Sequence, residues 1–220
     1  MNSQASRGNG AVALPAHETV YRQLRDKVLF GELAPGQPVT IQGLTDALGA
    51  GMTPVREALR RLTAEGALEA LGNRRIAVPV LDGRAIEELT EARSALEPRL
   101  AARASGRVTA AEVAHLRGID DALDRAIARG DVRGYLLENH RFHAVLNGLA
   151  DAPILTALVD GLWLRFGPSL RVVCGQMGTR NLPDRHKDIL TALDTGDSQG
   201  AAAAMLADVE QGMDLIAQSL

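Results

Sequence analysis

Residues 40–80 read TIQGLTDALGAGMTPVREALRRLTAEGALEALGNRRIAVPV, and their pattern decides the fold of the N-terminal part of the chain. From Thr53, which we predict to cap a helix, apolar residues recur at the three- and four-residue spacing of one helical side. The apolar side holds Val55, Ala58, Leu59 and Leu62. The opposite side holds Thr53, Arg56, Glu57 and Arg60. The sequence therefore predicts a short helix with one side in a core and a basic side exposed.

A second helix and a hairpin flank this basic helix. Thr40 can cap a helix over residues 41–48, and a Gly-Ala-Gly turn separates it from the basic helix. Gly66 should end the basic helix, since glycine accepts the left-handed conformation. A short apolar run, a Gly-Asn turn and a β-branched run follow, which predicts a hairpin with Arg74 and Arg75 at its tip. This order of elements is that of a winged helix-turn-helix, a DNA-binding fold.

The composition indicates two mainly helical domains. The chain has 220 residues, whereas single domains commonly contain roughly 100–150. Hydrophobic residues make up 46% and charged residues 23%, as in a globular chain that can bury a sizeable core. Aromatic residues make up only 3%, and alanine and leucine are abundant, which favours helices packed on helices. We therefore predict a mainly α protein, with an N-terminal winged helix-turn-helix and a C-terminal all-helical bundle.

The charge is unevenly distributed between these two parts. The whole chain has a formal net charge of −3. Residues 1–80 hold nine Lys or Arg and seven Asp or Glu, a net charge of +2, so residues 81–220 carry −5. The positive part is the one with the helix-turn-helix pattern, as expected if only that part meets phosphate.

The remaining totals concern location and boundaries. A single cysteine, Cys174, excludes an internal disulfide framework and is expected to be a buried apolar residue. No apolar run reaches the length of a membrane span, and residues 1–16 lack the apolar region of a secretion signal. We predict a cytoplasmic protein with no membrane partner. Its parts are a disordered arm over 1–16, the winged helix-turn-helix over 17–81 and the helical domain over 82–220.

From residue 84 onward, the apolar spacing is helical throughout. Thr109 and Glu112 have the capping-box spacing at the start of one helix. The prolines expected to separate helical pieces are Pro153, Pro168 and Pro183. The pattern predicts six or seven helices in this domain.

Candidate metal ligands lie in the same domain. Asn139 and His143 are four residues apart, so their side chains lie on one helical side and could share an ion. His186 lies on a later predicted helix and Asp208 on the last one. The spacing alone leaves open that these are ordinary hydrogen-bonded core or surface residues.

Several strings resemble those of GntR-family transcription regulators of the FadR type, and they occur in family order. The strings are TPVREALRRL, TAEGALE, ALEPRLAA, NHRFHAVL and RHKDILTAL. The resemblance covers nearly all of the chain after the arm, and it implies a winged helix-turn-helix joined to an all-helical effector-binding domain, often called FCD. Two positions where these proteins commonly have arginine carry Gln42 and Met52 here. This departure implies an operator that differs from the family's usual one.

The helix that starts at Thr53 supplies the chemistry for DNA binding. Arg56 and Arg60 can each bind guanine O6 and N7, and Thr53 suits a phosphate at the helix N-terminus. The residues assigned to the DNA backbone or the minor groove are Arg61, Arg74 and Arg75. The alternative is that these arginines only solvate a helical surface. Because operators are usually read by two-fold symmetric dimers, we expect a homodimer on a palindromic site in double-stranded DNA.

The resemblance also implies a metal site. Metal-binding members of the family take an Asp or Asn and three histidines from these segments. Asn139, His143 and His186 match three positions, and Asp208 aligns with the fourth, where histidine is commoner. We therefore expect a divalent metal ion as cofactor, with zinc favoured and nickel or manganese as alternatives.

The resemblance further implies that a small organic acid completes the coordination of this ion. Such a carboxylate also needs a cation, and Arg93 matches a position that the family often uses near the cavity. Glu97 lies four residues later, so an ordinary ion pair is the alternative for Arg93. Arg165 and Arg171 are further effector-binding candidates, and both can equally be surface charges.

These observations predict a repressor whose operator affinity changes when a small carboxylate binds, and not an enzyme. Effector binding would shift the placement of the two DNA-reading domains through the junction at residues 81–84. One alternative is a metal-dependent hydrolase built on the same residues, which would need a general base beside an open metal position. Another is a regulator in which the metal is structural or is itself the signal.

Overall fold

The computed structural model describes residues 14–72, 75–178 and 185–219. The predicted mainly helical architecture is confirmed. The elements, in chain order, are α1 (Ala16–Leu29), β1 (Pro38–Val39), α2 (Ile41–Leu48), α3 (Met52–Ala64), β2 (Glu69–Leu71), β3 (Arg75–Ala77), α4 (Gly83–Ser105), α5 (Ala110–Arg129), α6 (Val132–Leu149), α7 (Pro153–Met177), α8 (His186–Thr195) and α9 (Ser198–Ala217). We call α1 to β3 the reader domain and α4 to α9 the helical domain. Within the described residues, no helix is both long and apolar enough to cross a membrane.

The reader domain combines three helices with a small antiparallel sheet. Strand β3 lies in the middle, with β1 on one side and β2 on the other. Ile76 of β3 faces Val39 of β1 and Ala70 of β2 in register. The β2–β3 hairpin was predicted, whereas β1 was not, because two residues carry too little pattern to identify a strand.

The helix ends of the reader domain follow its capping residues. The Thr40 side chain accepts a hydrogen bond of 3.1 Å from the Gly43 amide, and α2 has the predicted bounds. Gly66, after α3, has a φ of +74°. The prediction that Thr53 caps α3 is wrong. The N-cap is Gly51, whose carbonyl accepts from the Val55 amide, so the helix begins before Thr53 and leaves that side chain in its first turn.

The helical domain is a six-helix bundle within the described residues. Helix α4 packs along α9, α5 packs against α6, and α8 packs against α9. The predicted capping box at the start of α5 is present: the Glu112 amide donates to the Thr109 hydroxyl, and the Thr109 amide donates to the Glu112 carboxylate. Phe142 and Phe166 are the largest fully buried side chains of this domain.

Helix α7 continues through Pro168, which the sequence predicted to separate two pieces. Pro168 is buried, as are its neighbours Phe166 and Gly167. Proline removes one intrahelical hydrogen bond, but burial of the surrounding apolar helix offsets that loss here. Pro183 lies outside the described residues.

The two domains meet where α7 passes the end of α1. A β-carbon on Gly167 would lie 2.3 Å from the Leu29 carbonyl oxygen, so only glycine allows this approach. Gly31 has a φ of +64°, and a β-carbon on it would lie 2.3 Å from Cβ of Arg171 in α7. An ion pair of 3.3 Å between Arg133 of α6 and Glu32 adds to the contact. The helical domain therefore touches the reader domain directly, as well as through the chain between β3 and α4.

Candidate functional site

The outer side of α3 has the character expected of a DNA-reading surface. Val55, Ala58, Leu59 and Leu62 are buried in the reader domain. Thr53, Arg56 and Arg60 are exposed on the opposite side. Arg60 pairs with Glu57 through Nε and Oε2 at 3.1 Å, but both side chains are largely in solvent. An exposed pair of this kind exchanges readily for another anion, so Arg60 stays available to DNA.

A groove of about 550 Å³ runs along this side of α3. His17, near the start of α1, lines it together with Thr53, Arg56 and Arg60. His17 could not be identified from the sequence, because its neighbours in space come from a helix more than thirty residues away. It adds a further hydrogen-bonding side chain beside the basic ones.

Arg61 has a different environment from that assigned to it. Its guanidinium carbon lies 3.5 Å from the centre of the Tyr21 ring, and Nη1 and Nε lie 3.1 Å from Glu18 and Glu65 respectively. These contacts join α3 to α1 inside the reader domain. A phosphate contact from Arg61 remains a prediction, and it would have to compete with all three partners.

Arg75 is exposed at the start of β3, at the described base of the predicted wing tip. Arg74 lies outside the described residues.

A small buried cavity in the helical domain contains the candidate metal ligands. Its volume is about 30 Å³. One potential ligand atom from each of His143, His186 and Asp208 lies within 4.8 Å of the others. Asn139 lines the same cavity, one helical turn before His143 on α6. The structure thus brings together all four residues that the resemblance implied.

Each histidine has a buried carboxylate close to its Nδ1. His143 Nδ1 lies 3.0 Å from Glu97 Oε2, while its Nε2 lies 3.1 Å from Asp208 Oδ2. Burial opposes the charged form of His143, but the hydrogen bonds to Asp208 and Glu97 raise its pKa to about 9. Burial also opposes ionisation of Asp208, yet His143 holds its pKa well below the usual range. His186 Nδ1 lies 3.3 Å from Asp120 Oδ1, and Asp120 is itself buried.

Glu97 and Asp120 were not identified as partners of the histidines from the sequence. Each is an acidic residue on the buried side of its helix, where charged groups are rare unless paired. A buried acidic position indicates that a partner exists, but it does not identify which residue on another helix that partner is.

The three arginines expected at the effector site lie in different places. Arg93 is 3% exposed and lines the cavity, with Nε 2.6 Å from Glu97 Oε1. Arg165 and Arg171 do not line it. Arg165 donates to the Glu65 carbonyl at 3.4 Å, and Arg171 packs beside Gly31, so both lie at the contact between the domains. Periodicity could not separate these cases, because each arginine occurs on a predicted helix.

The donor set fits a divalent metal ion. Two imidazoles and one carboxylate within a few ångströms are ligands that zinc, nickel and manganese accept. A carboxylate hydrogen-bonded to Nδ1 of a histidine is the usual support for metal ligation through Nε2. His143 has such a partner, and His186 has a carboxylate oxygen 3.3 Å from its Nδ1.

Comparisons with known proteins find a match for each of the two domains. Residues 16–78 match the bacterial regulatory proteins of the gntR family, and residues 88–211 match the FCD domain. The chain belongs to the GntR family. It combines the DNA-binding domain of that family with an FCD domain, as FadR-type members do.

Individual relatives span almost the whole of this GntR-family chain. It is 27% identical over 202 residues to the HTH-type transcriptional regulator McbR of Escherichia coli (strain K12), covering 90% of this chain and 91% of McbR. It is 31% identical over 186 residues to the Nta operon transcriptional regulator of Aminobacter aminovorans, covering 83% and 85%. The solved structure of E. coli McbR/YncC superposes with a TM-score of 0.88 at 26% identity, covering 94% and 99%.

These relatives are transcriptional regulators. The chain is therefore a DNA-binding transcriptional regulator, and the prediction that it is not an enzyme is confirmed. The hydrolase alternative has no support from them. Some FCD domains bind metals, and this one contains a group of two histidines and an aspartate, His143, His186 and Asp208, that could hold an ion.

Proposed function

We propose that this regulator is a repressor that binds a palindromic operator as a homodimer. A small carboxylic acid, bound together with a divalent metal ion in the helical domain, controls its affinity for DNA. The convergence of His143, His186 and Asp208 beside Arg93 in one buried cavity carries the proposal.

DNA recognition rests mainly on α3 in this proposal. Arg56 and Arg60 reach guanine edges in the major groove, Thr53 binds a phosphate, and the wing arginines contact the backbone or the minor groove. Gln42 donates to Asp46 on its own helix at 2.9 Å, and Met52 is an exposed apolar side chain. Because neither position has the arginine that is common in the family, the operator differs from the family's usual sequence.

His143, His186 and Asp208, with Asn139 beside them, hold the metal ion, and zinc suits two imidazoles and a carboxylate best. When bound, the ion would supply a positive charge to which a carboxylate oxygen can coordinate. Arg93 lies on the same cavity wall and offers charge-assisted hydrogen bonds to that carboxylate. Its stacking over Phe166, with 4.1 Å from the guanidinium carbon to the ring centre, keeps it in place.

The size of the cavity favours a second candidate function, in which the metal ion has its role without an organic acid. About 30 Å³ can hold an ion or a water molecule, whereas pockets for small organic ligands commonly measure roughly 300–1,000 Å³. Either the cavity expands when the acid binds, or the metal is structural or is itself the signal.

Control of DNA binding requires that ligand binding changes the placement of the reader domains. The contact of α7 with the end of α1, and the junction at residues 81–84, are the connections through which this can occur. A coupling free energy of roughly 1–3 kcal/mol would change operator affinity about 5- to 150-fold.

The test begins with selection of an operator from a random double-stranded DNA library. Binding is then measured by fluorescence anisotropy with zinc, with a chelator, and with small carboxylic acids in the presence and absence of zinc. A response to an acid only when zinc is present supports the first candidate. A response to zinc alone supports the metal as signal. No response to zinc or to any acid would contradict control by either of them and would leave the ion only a structural role.

Two variants give this test its controls. We expect Arg56→Ala to abolish specific binding while circular dichroism shows an intact helical fold. Arg117→Ala removes the same charge from an exposed pair in the helical domain and should bind as the wild type does. Undiminished binding by Arg56→Ala would contradict the proposed reading surface.

A further inference from the structure

Glu97 is a completely buried carboxylate that joins two different parts of the cavity. Its Oε1 lies 2.6 Å from Arg93 Nε, and its Oε2 lies 3.0 Å from His143 Nδ1. The side chain is 0% exposed, whereas Arg93 and His143 both line the cavity. Glu97 is therefore behind the cavity wall and contacts it through these two residues.

A buried carboxylate is costly unless its partners satisfy it. Arg93 and His143 satisfy the Glu97 carboxylate from two different sides. The ionised carboxylate accepts a hydrogen bond from each partner, one on each oxygen. Both partners are consequently fixed in rotation as well as in position.

The contact with Glu97 decides which nitrogen of His143 faces the ligand group. Since Nδ1 is turned toward Glu97, Nε2 is the nitrogen directed at Asp208, 3.1 Å away. A metal-ligating histidine usually donates its other ring N–H to a carboxylate in this way, which fixes the ring and strengthens the ligand.

His186 also has a buried carboxylate near its Nδ1, although at a longer distance and without hydrogen-bond geometry between these two atoms. Its Nδ1 lies 3.3 Å from Asp120 Oδ1, and Asp120 is 2% exposed. The ring of His186 is further held by stacking on Phe142, with 3.8 Å between the ring centres. Two histidines from different helices thus have a buried carboxylate at Nδ1, which a single chance ion pair does not explain.

We propose that Glu97 and Asp120 are positioning residues for metal binding, which orient Nε2 of His143 and of His186 toward the ion. By holding Arg93 with its second oxygen, Glu97 also links the metal end of the cavity to the cation that receives the effector carboxylate. This inference rests on the proposed function.

Glutamine at position 97 would separate these roles from simple packing. An amide has nearly the same shape as the carboxylate, but it has one accepting oxygen and one donating NH₂ group. Arg93 Nε and His143 Nδ1 both donate to Glu97, so one of them would meet another donor. Either the arginine or the histidine then loses its orientation.

The experiment measures zinc affinity by competition with a chromophoric chelator, and it uses cobalt(II) absorption as a signature of the ligand set. We expect Glu97→Gln and Asp120→Asn each to weaken zinc binding by about 10- to 100-fold. We also expect the cobalt spectrum of Glu97→Gln to shift toward that of His143→Ala. A merely structural role for Glu97 would not change the spectrum of the folded protein in that direction.

Matched controls lie on the same helices. Glu91 and Asp121 are exposed, so Glu91→Gln and Asp121→Asn remove the same charges without touching the cavity and should bind zinc as the wild type does. Near-UV circular dichroism reports whether each variant is folded. If Glu97→Gln does not fold, Asp120→Asn decides the inference through His186.

Folded Glu97→Gln and Asp120→Asn proteins with wild-type zinc affinity and wild-type cobalt spectra would overturn this inference but leave the proposed function intact. Absence of metal binding by the wild type would overturn both.

Discussion

Arg61 joins two helices of the reader domain, although it lies on the same helix as Arg56 and Arg60. Its guanidinium stacks on Tyr21, and its ion pairs reach Glu18 and Glu65. We expect Arg61→Ala to lower the free energy of unfolding by about 0.5–1 kcal/mol through loss of the cation–π contact. Urea denaturation followed by circular dichroism measures this change.

Arg60→Ala is the comparison for this variant. Its ion pair with Glu57 is exposed, so stability should stay unchanged while operator affinity falls. If Arg61→Ala instead kept full stability and lost operator affinity, Arg61 would be a phosphate contact after all.

Arg93 both forms an ion pair with Glu97 and lines the cavity, so the two interpretations of this residue are compatible. The sequence offered an ion pair with Glu97 or a place in the effector cavity, and the structure contains both at once. The pair uses Nε, which leaves the two terminal nitrogens of the guanidinium for another acceptor. Spacing along one helix predicts the pair, but only the packing of several helices creates the cavity.

At the scale of elements, local signals in the sequence were the most reliable. The Thr40 cap, the Thr109 capping box and the left-handed Gly66 each depend on a few adjacent residues, and each occurs as predicted. Pro168 failed as a helix break because contacts with distant residues outweigh its local preference. Asp120 was missed for the same reason, since its partner His186 lies 66 positions later in the chain.

A row of aromatic side chains links the end of α1 to the cavity. Phe30 packs edge-on against His140 at 5.8 Å between ring centres, and His140 packs against Trp163 at 5.1 Å. Trp163 lines the cavity and lies 5.1 Å from the ring of His143. Burial lowers the pKa of His140 to about 4, so this ring is neutral and packs as an apolar group near neutral pH.

We expect Phe30→Ala to uncouple DNA binding from the ligand site. The ratio of operator dissociation constants with and without zinc, or with and without an active acid, should fall toward 1, while zinc affinity stays unchanged. Leu137→Ala is the control. Leu137 and Phe30 line the same surface cleft, but Leu137 belongs neither to the row of aromatic side chains nor to the cavity. An unchanged ratio in Phe30→Ala would show that the signal takes another route.

The approach of α7 to α1 gives a second expectation for this interface. Alanine at Gly167 would place its β-carbon 2.3 Å from the Leu29 carbonyl oxygen, so α1 or α7 must move. We expect Gly167→Ala to destabilise the protein by about 1–3 kcal/mol, as overpacking commonly does. Thermal denaturation measures the change.

Gly175 on the same helix provides the matched substitution. A β-carbon there would meet no atom within 4 Å, and alanine has the higher helix propensity. Gly175→Ala should therefore be neutral or stabilising by up to about 1 kcal/mol. Equal effects of the two substitutions would mean that helix propensity, and not the domain contact, determines the result.

On the scale of the whole molecule, the net charge differs in sign between the N-terminal part, which contains the reader domain, and the rest of the chain, which contains the helical domain. Residues 1–80 carry +2 and residues 81–220 carry −5. DNA therefore attracts the reader domain and repels the helical domain, which favours binding with the α3 side toward the duplex. The proposed homodimer would present two such domains to the two halves of a palindrome.

The salt dependence of operator binding tests this arrangement and counts the readers. Each phosphate that an arginine neutralises adds about 0.9 to the slope of log affinity against log salt. Arg75 is exposed on the wing, so Arg75→Ala should reduce the slope by about 1.8 if two readers bind, and by about 0.9 if one binds. Anisotropy titrations of the selected operator at several salt concentrations measure the slope. Arg117→Ala should leave the slope unchanged, because Arg117 lies in the helical domain. An unchanged slope in Arg75→Ala would show that Arg75 of the wing does not contact a phosphate.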